Sequence, residues 1–293
     1  MTSTPVRVFA ASTPAEWLPA RLLEFSIRET TSQPVEFAQL HTFERPIPMP
    51  AALQNRPRTP FSFQRFLIPE LCDLRGQAIY MDADMQVFRD IAGLWDTPME
   101  GCDLQTVQAA GDGRRGQFSV MLLDCERLAW SIDKIVAQLD GGALTYETLM
   151  YEMRVASKIG HGIAPHWNSL ERFEPGLTSL LHYTDMNTQP WISPDNPLES
   201  LWIDGLRRAL TAGFISDAEL QREIDTRHVR PSLRARLQDD QLTRSAARQI
   251  DATFVAPYRS LKSGRARPWN SVRSMAGAAL RKLRRMSQNG WRA

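Results

Sequence analysis

Apolar residues along this chain recur in two rhythms. Short runs such as VRVFAA at residues 6–11 and QAIYM at residues 77–81 are apolar at nearly every position, as in strands covered on both faces. Between them Trp17, Leu18, Leu22, Leu23, Phe25 and Ile27 fall at roughly helical spacing, and residues 34–40 (PVEFAQL) alternate like a second strand. Strand, helix and strand in that order begin an open α/β sheet, which binds ligands at the carboxyl ends of its strands. Residues 44–60, rich in proline and arginine, read as a loop. Residues 61–71 (FSFQRFLIPEL) read as helical, with Pro69 ending that helix or opening the next. Further strands are expected at 117–123 (QFSVMLL) and 178–183 (TSLLHY), with a mostly helical pattern over 126–156. From about Pro197 the texture changes to charged helical segments (LESLWIDGLRRAL, ISDAELQREIDTR). The expected division is therefore an α/β domain at 1–195, a helical extension at 196–256 and a basic tail at 257–293.

Composition narrows the class. With 43% hydrophobic and 23% charged residues over 293 positions, the chain suits a soluble globular protein with a sizeable core. Cys72, Cys102 and Cys125 are scattered without CxxC spacing, which fits core residues in a reducing compartment rather than a disulfide framework. The start of the chain lacks a signal-peptide pattern, and the longest apolar stretches fall far short of the roughly 20 residues of a membrane span. A cytoplasmic location is the expectation.

The net charge of +2 hides an asymmetry. Residues 259–293 hold ten Lys or Arg and no acid, leaving 25 basic and 33 acidic residues before them. In that tail Val272, Met275, Ala276, Ala279, Leu280, Leu283 and Met286 recur every three or four positions, flanked by Arg273, Arg281, Lys282, Arg284 and Arg285. Trp269 and Trp291 bracket the stripe. This reads as an amphipathic segment lying on an anionic membrane surface, with the protein peripheral on the inner face. The alternative is a disordered solubilising or nucleic-acid-binding tail. A nucleic-acid partner is not expected, because the body is acidic and shows no aromatic-basic groove motif.

Two segments carry candidate chemistry. In AIYMDADMQVF a buried strand runs into Asp82 and Asp84, which point the same way if the extended geometry persists. Two carboxylates at a strand's end make a hard-oxygen site for Mn²⁺ or Mg²⁺, able to bridge the phosphates of a nucleotide diphosphate. In HYTDMNTQPW, His182 follows an apolar run and can add a neutral imidazole. Trp17, Trp95, Trp130 and Trp202 read as core residues, whereas Trp167 and Trp191 are candidates for lining a site. Glu147 and Glu152 read as solvated helix residues.

The ordered set of blocks resembles glycosyltransferase family 8, the retaining GT-A enzymes that use nucleotide sugars. The blocks are the Ser26-Ile27 pair, FQRFLIPEL, AIYMDADMQVFRDI, SVMLLDC, APHWNS and HYTDMNTQPW, spread over residues 6–191. The resemblance implies a GT-A type, Rossmann-like mixed sheet flanked by helices, with the helical segment as a C-terminal extension. It implies that Asp82, Asp84 and His182 hold Mn²⁺ on the diphosphate of a UDP-sugar, and that Arg65 lies near the donor sugar and diphosphate. The turn from Ala10 and Ala11 to Thr13 is expected beside the nucleoside, with Tyr183 and Gln189 among the donor contacts. Gln117 is expected nearest the anomeric carbon, since no carboxylate stands out as a nucleophile. Asp84, Arg65 and Gln117 are thus the catalytic candidates, and a glycan or glycolipid is the expected acceptor. The chain departs from the family pattern at Gln117-Phe118-Ser119, where Asn-Ser-Gly is usual. It also has Tyr146-Glu147 for an Asp-Gln pair, and Gln189 for a Lys before Pro-Trp. A catalytically weakened nucleotide-sugar-binding protein is the alternative.

Overall fold

The computed structural model describes residues 4–108 and 118–257. Gln117 and the basic tail from 258 onward lie outside the described residues. The chain runs through β1 (Val6–Ala11), α1 (Trp17–Thr30), β2 (Val35–Gln39), α2 (Ile68–Leu71), β3 (Gln77–Asp82), β4 (Met85–Val87), α3 (Ala92–Trp95) and β5 (Leu104–Val107). It continues through β6 (Val120–Asp124), α4 (Cys125–Leu128), α5 (Ile132–Asp140), α6 (Tyr146–Met150), β7 (Ile159–Ile163), β8 (Ser169–Leu170) and β9 (Leu180–His182). Four helices follow: α7 (Glu199–Thr211), α8 (Asp217–Asp225), α9 (Ser232–Gln238) and α10 (Arg244–Ile250).

The main sheet has the order β2-β1-β3-β6-β5-β7. β1 is parallel to β2 and β3, β6 is antiparallel to β3 and β5, and β7 is parallel to β5. A second sheet, β4-β9-β8, carries the chain away from the aspartates and brings His182 back to them.

Both faces of the main sheet are covered, which is why its central strands read as unbroken apolar runs. Phe9, Ala11, Ala78, Tyr80, Met121 and Leu123 join the core shared with α2, α4, α5 and α6. The alternate residues Val8, Ala10, Ile79, Met81, Val120 and Leu122 pack with Leu23 and Ile27 of α1. The opposite side of α1, with Leu18, Leu22 and Phe25, packs on Trp202, Ile203 and Leu206 of α7. A helix buried on two sides explains why its apolar positions fill more than one stripe.

Several short elements escaped the hydrophobic pattern. β4, β5, β7 and β8 are two to five residues long, too short to show a period. The expected helix at 61–71 is split into a 3₁₀ turn at Gln64–Leu67 and the single turn of α2, with Pro69 at its start. Trp167 and Trp191, expected to line a site, are 4% and 3% exposed and belong to the core. All three cysteines are buried and unpaired, as expected of core residues.

Two contacts fix β4 beneath α1 and α7. Ser26 Oγ accepts from Val87 N–H at 3.0 Å, so the serine of the Ser-Ile pair tethers the strand that follows the aspartates. Gly205 lets α7 approach: a Cβ there would stand 2.6 Å from Gln86 Nε2. Gln86 is fully buried and accepts from Tyr183 Oη at 2.9 Å, joining β4 to the chain after β9.

Candidate metal centre

β1 has parallel neighbours on both sides, and the chain leaves it first towards β2 and later returns as β3. The crevice outside the carboxyl ends of β1 and β3 is therefore a topological switch point, the usual place for a ligand in such sheets. Ala11 ends β1, Asp82 ends β3, and the two are in register. Ala83 N–H donates to Ala11 O at 3.1 Å and Asp82 N–H to Ser119 O at 3.2 Å. The Asp82–Asp84 turn is thus fastened to strands on both sides.

Asp82, Asp84 and His182 offer ligand atoms that all lie within 4.8 Å of one another. The antiparallel pairing of β4 with β9 sets Met85 opposite His182, which delivers the imidazole from about 100 residues downstream. His182 Nε2 is 3.0 Å from Asp84 Oδ1. Asp84 Oδ1 is nevertheless buried without a hydrogen-bond partner, so the two atoms face each other out of hydrogen-bonding line. A buried carboxylate oxygen in this state is costly unless a cation meets it. Two carboxylates and an imidazole, with an unsatisfied oxygen among them, fit a divalent transition-metal ion.

The other ligand oxygens are held. Tyr80 Oη donates to Asp82 Oδ1 at 2.5 Å, and Arg65 Nη2 lies 3.6 Å from the same oxygen. Arg65 is itself buried, donating to Phe118 O at 2.7 Å and lying 4.4 Å from the Tyr80 ring centroid. Gln189 Nε2 donates to Asp84 Oδ2 and to Tyr183 O, both at 2.9 Å.

The acid-base balance follows from this crowding. Burial pushes Asp82 above the usual carboxylate range, and the Arg65 cation only partly offsets it. For His182 burial works downward, but the charges of Asp84 and Asp82 prevail and hold it above its ordinary value. Sequence reasoning missed a third carboxylate, Glu16. Burial and then the Asp84 charge push its pKa up to about 8, although Thr13 N–H and Oγ each donate to it at 3.0 Å. The Thr13–Glu16 spacing is that of a capping box, a signal present in the sequence.

The remaining expected contacts divide. Ala10 and Ala11 are fully buried strand residues whose side chains face opposite cores, leaving only backbone at the crevice. Ser12 is clamped by Gln64, which donates to its carbonyl at 2.8 Å and accepts from its N–H at 3.0 Å. Ser12 Oγ also meets His41 Nδ1 at 2.8 Å. Neither Gln64 nor His41 was singled out beforehand. Tyr183 is corrected: its fully buried ring points into the helical core, and only its backbone reaches the site, donating to Asp84 O at 2.8 Å. Gln189 touches Asp84 rather than opening to the crevice. A separate groove of about 670 Å³, bordered by Arg89, Gly93, His166 and the edge of Trp167, lies at the far end of β4 and contains none of the expected metal or donor residues.

Comparison with known proteins agrees with this geometry. Residues 24–135 match the model for glycosyl transferase family 8. Over 97 residues the chain is 34% identical to Protein CDI of Arabidopsis thaliana, a stretch covering 31% of this chain and 36% of that protein. The chain thus matches about a third of that relative's length. The apo form of the glycosyltransferase GlyE of Streptococcus pneumoniae TIGR4 superposes with a TM-score of 0.52 at 16% identity, over 69% of this chain and 60% of that one. A second GlyE structure gives 0.51 at 14% identity, with coverages of 69% and 60%. These likenesses show a shared GT-A fold, a mixed sheet flanked by helices. Over residues 24–135, the stretch that holds Asp82 and Asp84, the chain is similar to glycosyl transferase family 8.

Proposed function

We propose that this chain is a metal-dependent glycosyltransferase. It takes a sugar from a nucleotide diphosphate sugar, a UDP-sugar in the first instance, and passes it with retention to a saccharide or glycoconjugate. One observation carries the reading: at the switch point Asp82, Asp84 and His182 converge around a buried Asp84 oxygen that no donor satisfies. A bound divalent cation, Mn²⁺ or Mg²⁺, supplies Lewis-acid neutralisation of the charge developing on the departing diphosphate. Asp82 and Asp84 hold that cation with His182. Arg65 adds a fixed positive charge beside Asp82 in a partly dry crevice, where such charges act strongly. The stiffened turn from Ala11 to Thr13 borders the nucleoside with backbone groups. Gln117, which lies outside the described residues, is proposed on the family resemblance alone to meet the anomeric carbon.

A second reading has an observation of its own. Gln189 stands where the family resemblance leads one to expect a lysine, and both hydrogens of its amide are committed to Asp84 and Tyr183. With no cation from that loop, the protein would bind a nucleotide sugar and turn it over weakly. Following UDP release with Mn²⁺ across UDP-glucose, UDP-galactose, UDP-xylose and GDP-sugars separates the two. The enzyme reading expects release from at least one donor, abolished by EDTA and reduced about 10²–10³-fold in Asp84→Asn. Binding of UDP and Mn²⁺ without release supports the second reading; neither binding nor release overturns both.

No helix among the described residues is long and apolar enough to cross a membrane. The proposed location is the cytoplasm, with the segment 257–293 resting on an anionic membrane surface beside a lipid-linked acceptor. Each basic residue near such a surface contributes about 1 kcal/mol. A chain ending at Tyr258 should keep turnover on a soluble acceptor and lose sedimentation with anionic vesicles. Equal sedimentation of both chains at low salt removes the membrane role.

A further inference from the structure

We infer that Asn168 is a positioning residue for the metal site, fixing the tautomer of His182 so that Nε2 presents a lone pair to a divalent cation. The inference rests on the metal-dependent reading above. Asn168 Oδ1 lies 3.0 Å from His182 Nδ1, and Asn168 Nδ2 lies 3.1 Å from Ser119 Oγ. With the amide's donor side directed at Ser119, its oxygen faces the imidazole and accepts the Nδ1 proton. A neutral imidazole protonated at Nδ1 keeps its lone pair on Nε2, the atom 3.0 Å from Asp84 Oδ1. In that neutral tautomer the lone pair and the carboxylate oxygen repel at this distance, and Asp84 Oδ1 accepts no other hydrogen bond. A cation bound by both atoms converts the repulsion into attraction.

Asn168 also closes a ring. Ser119, whose hydroxyl meets the Asn168 amide, accepts the backbone N–H of Asp82 at 3.2 Å. Asn168 stands immediately before β8, and Leu170 of that strand is in register with His182. One side chain therefore links the start of β6, the end of β3 and the end of β9. Hydrogen-bond partners of ligating histidines orient the ring and are typically worth about 10–100-fold in metal affinity.

The opposite amide orientation is the competing arrangement. Asn168 Nδ2 would then donate to Nδ1, putting the neutral ring's proton on Nε2 and disfavouring metal ligation. Two measurements on the full chain decide. Titration with Mn²⁺ alone, read from the electron paramagnetic resonance of the free ion, should show Asn168→Leu weakened about 10–100-fold. Asn168→Asp, which keeps the acceptor, should retain wild-type affinity. Long-range ¹⁵N correlation spectra of metal-free wild type, in alkaline solution where the ring is neutral, should show Nδ1 protonated. If wild type does not bind Mn²⁺, the metal reading itself falls and takes this role with it. If wild type and Asn168→Leu bind equally well, only the role of Asn168 is overturned. Finding the proton on Nε2 overturns that role even where Asn168→Leu does not fold.

Discussion

Asp82 and His182 face the same crevice but are held there by different means. Asp82 ends the central strand of the main sheet and is fixed by ladder bonds, by Ser119 O and by the Ala11–Ala83 contact. His182 ends a three-residue strand in a small sheet, and the loop after it is braced from the helical segment. The brace is Arg230, fully buried, whose N–H donates to Trp191 O at 2.8 Å and whose Nε donates to Pro190 O at 2.9 Å. Its remaining nitrogens reach Glu199 and Ser232, with Asp251 3.9 Å away. The carboxylate half of the site is therefore set by backbone pairing. The histidine half depends on a side-chain charge network some 40 residues further along.

The sharpest way to break this contrast is Arg230→Ala. Removing one member of a buried network leaves Glu199 and Asp251 short of a partner, which typically costs about 3–5 kcal/mol. Chemical denaturation should show that loss. Hydrogen exchange should show earlier opening of the amides at 183–193 than of those at 79–83. Equal opening of both segments would mean that the helical segment stabilises the fold without bracing one half of the site.

What was legible in the sequence follows the same division. Asp82 and Asp84 declared themselves because a long buried strand precedes them, and His182 because it closes an apolar run. Glu16, Gln64, Asn168 and Arg230 did not, since their roles come from partners 3 to 52 residues away. Only Glu16 left a local trace, the Thr-x-x-Glu capping spacing. Tyr183 shows the opposite failure. The family resemblance implies donor contact for it, yet its ring lies in the helical core and only its backbone reaches the site. The small sheet was hidden because strands of two or three residues are paired by tertiary contact, not by their own pattern.

Glu16→Gln tests the electrostatic side of the comparison. Glu16 has a pKa of about 8 in the fold against 4.5 when unperturbed. The folded state thus holds this proton more tightly than the unfolded chain does. Its contribution is most favourable below about 4.5 and is lost as the pH rises towards 8, worth roughly 3–5 kcal/mol over the window. Asp82 is raised as well and adds a loss of the same sign above the ordinary carboxylate range. Urea unfolding in EDTA from pH 5 to pH 8 should show stability falling with pH in wild type. The fall should be shallower in Glu16→Gln, and Mn²⁺ should flatten it in wild type by replacing the protons with a cation. Parallel wild-type and variant profiles would show that Glu16 ionises normally and stands apart from the carboxylate pair.

The smallest effect is expected within the sheet itself, from Tyr80→Phe. Tyr80 is fully buried, and its hydroxyl donates to Asp82 Oδ1, the same oxygen that Arg65 approaches. Phenylalanine keeps the ring volume, so the packing around Phe66 and Met121 is preserved and only the hydrogen bond is lost. A bond to a charged acceptor is worth about 1.5–3 kcal/mol, and Arg65 remains to hold the carboxylate. Asp82 should stay in place because its N–H and that of Ala83 are fixed by neighbouring strands, not by the hydroxyl. The expected result is a modest drop in stability, with Mn²⁺ binding weakened less than in Asn168→Leu. The two substitutions then compare like with like, one hydrogen bond removed behind a ligand in each half. If Tyr80→Phe proved the more damaging to Mn²⁺ binding, the ladder would not be enough to fix the carboxylate half. Asp82 would then depend on its side-chain partners as fully as His182 does.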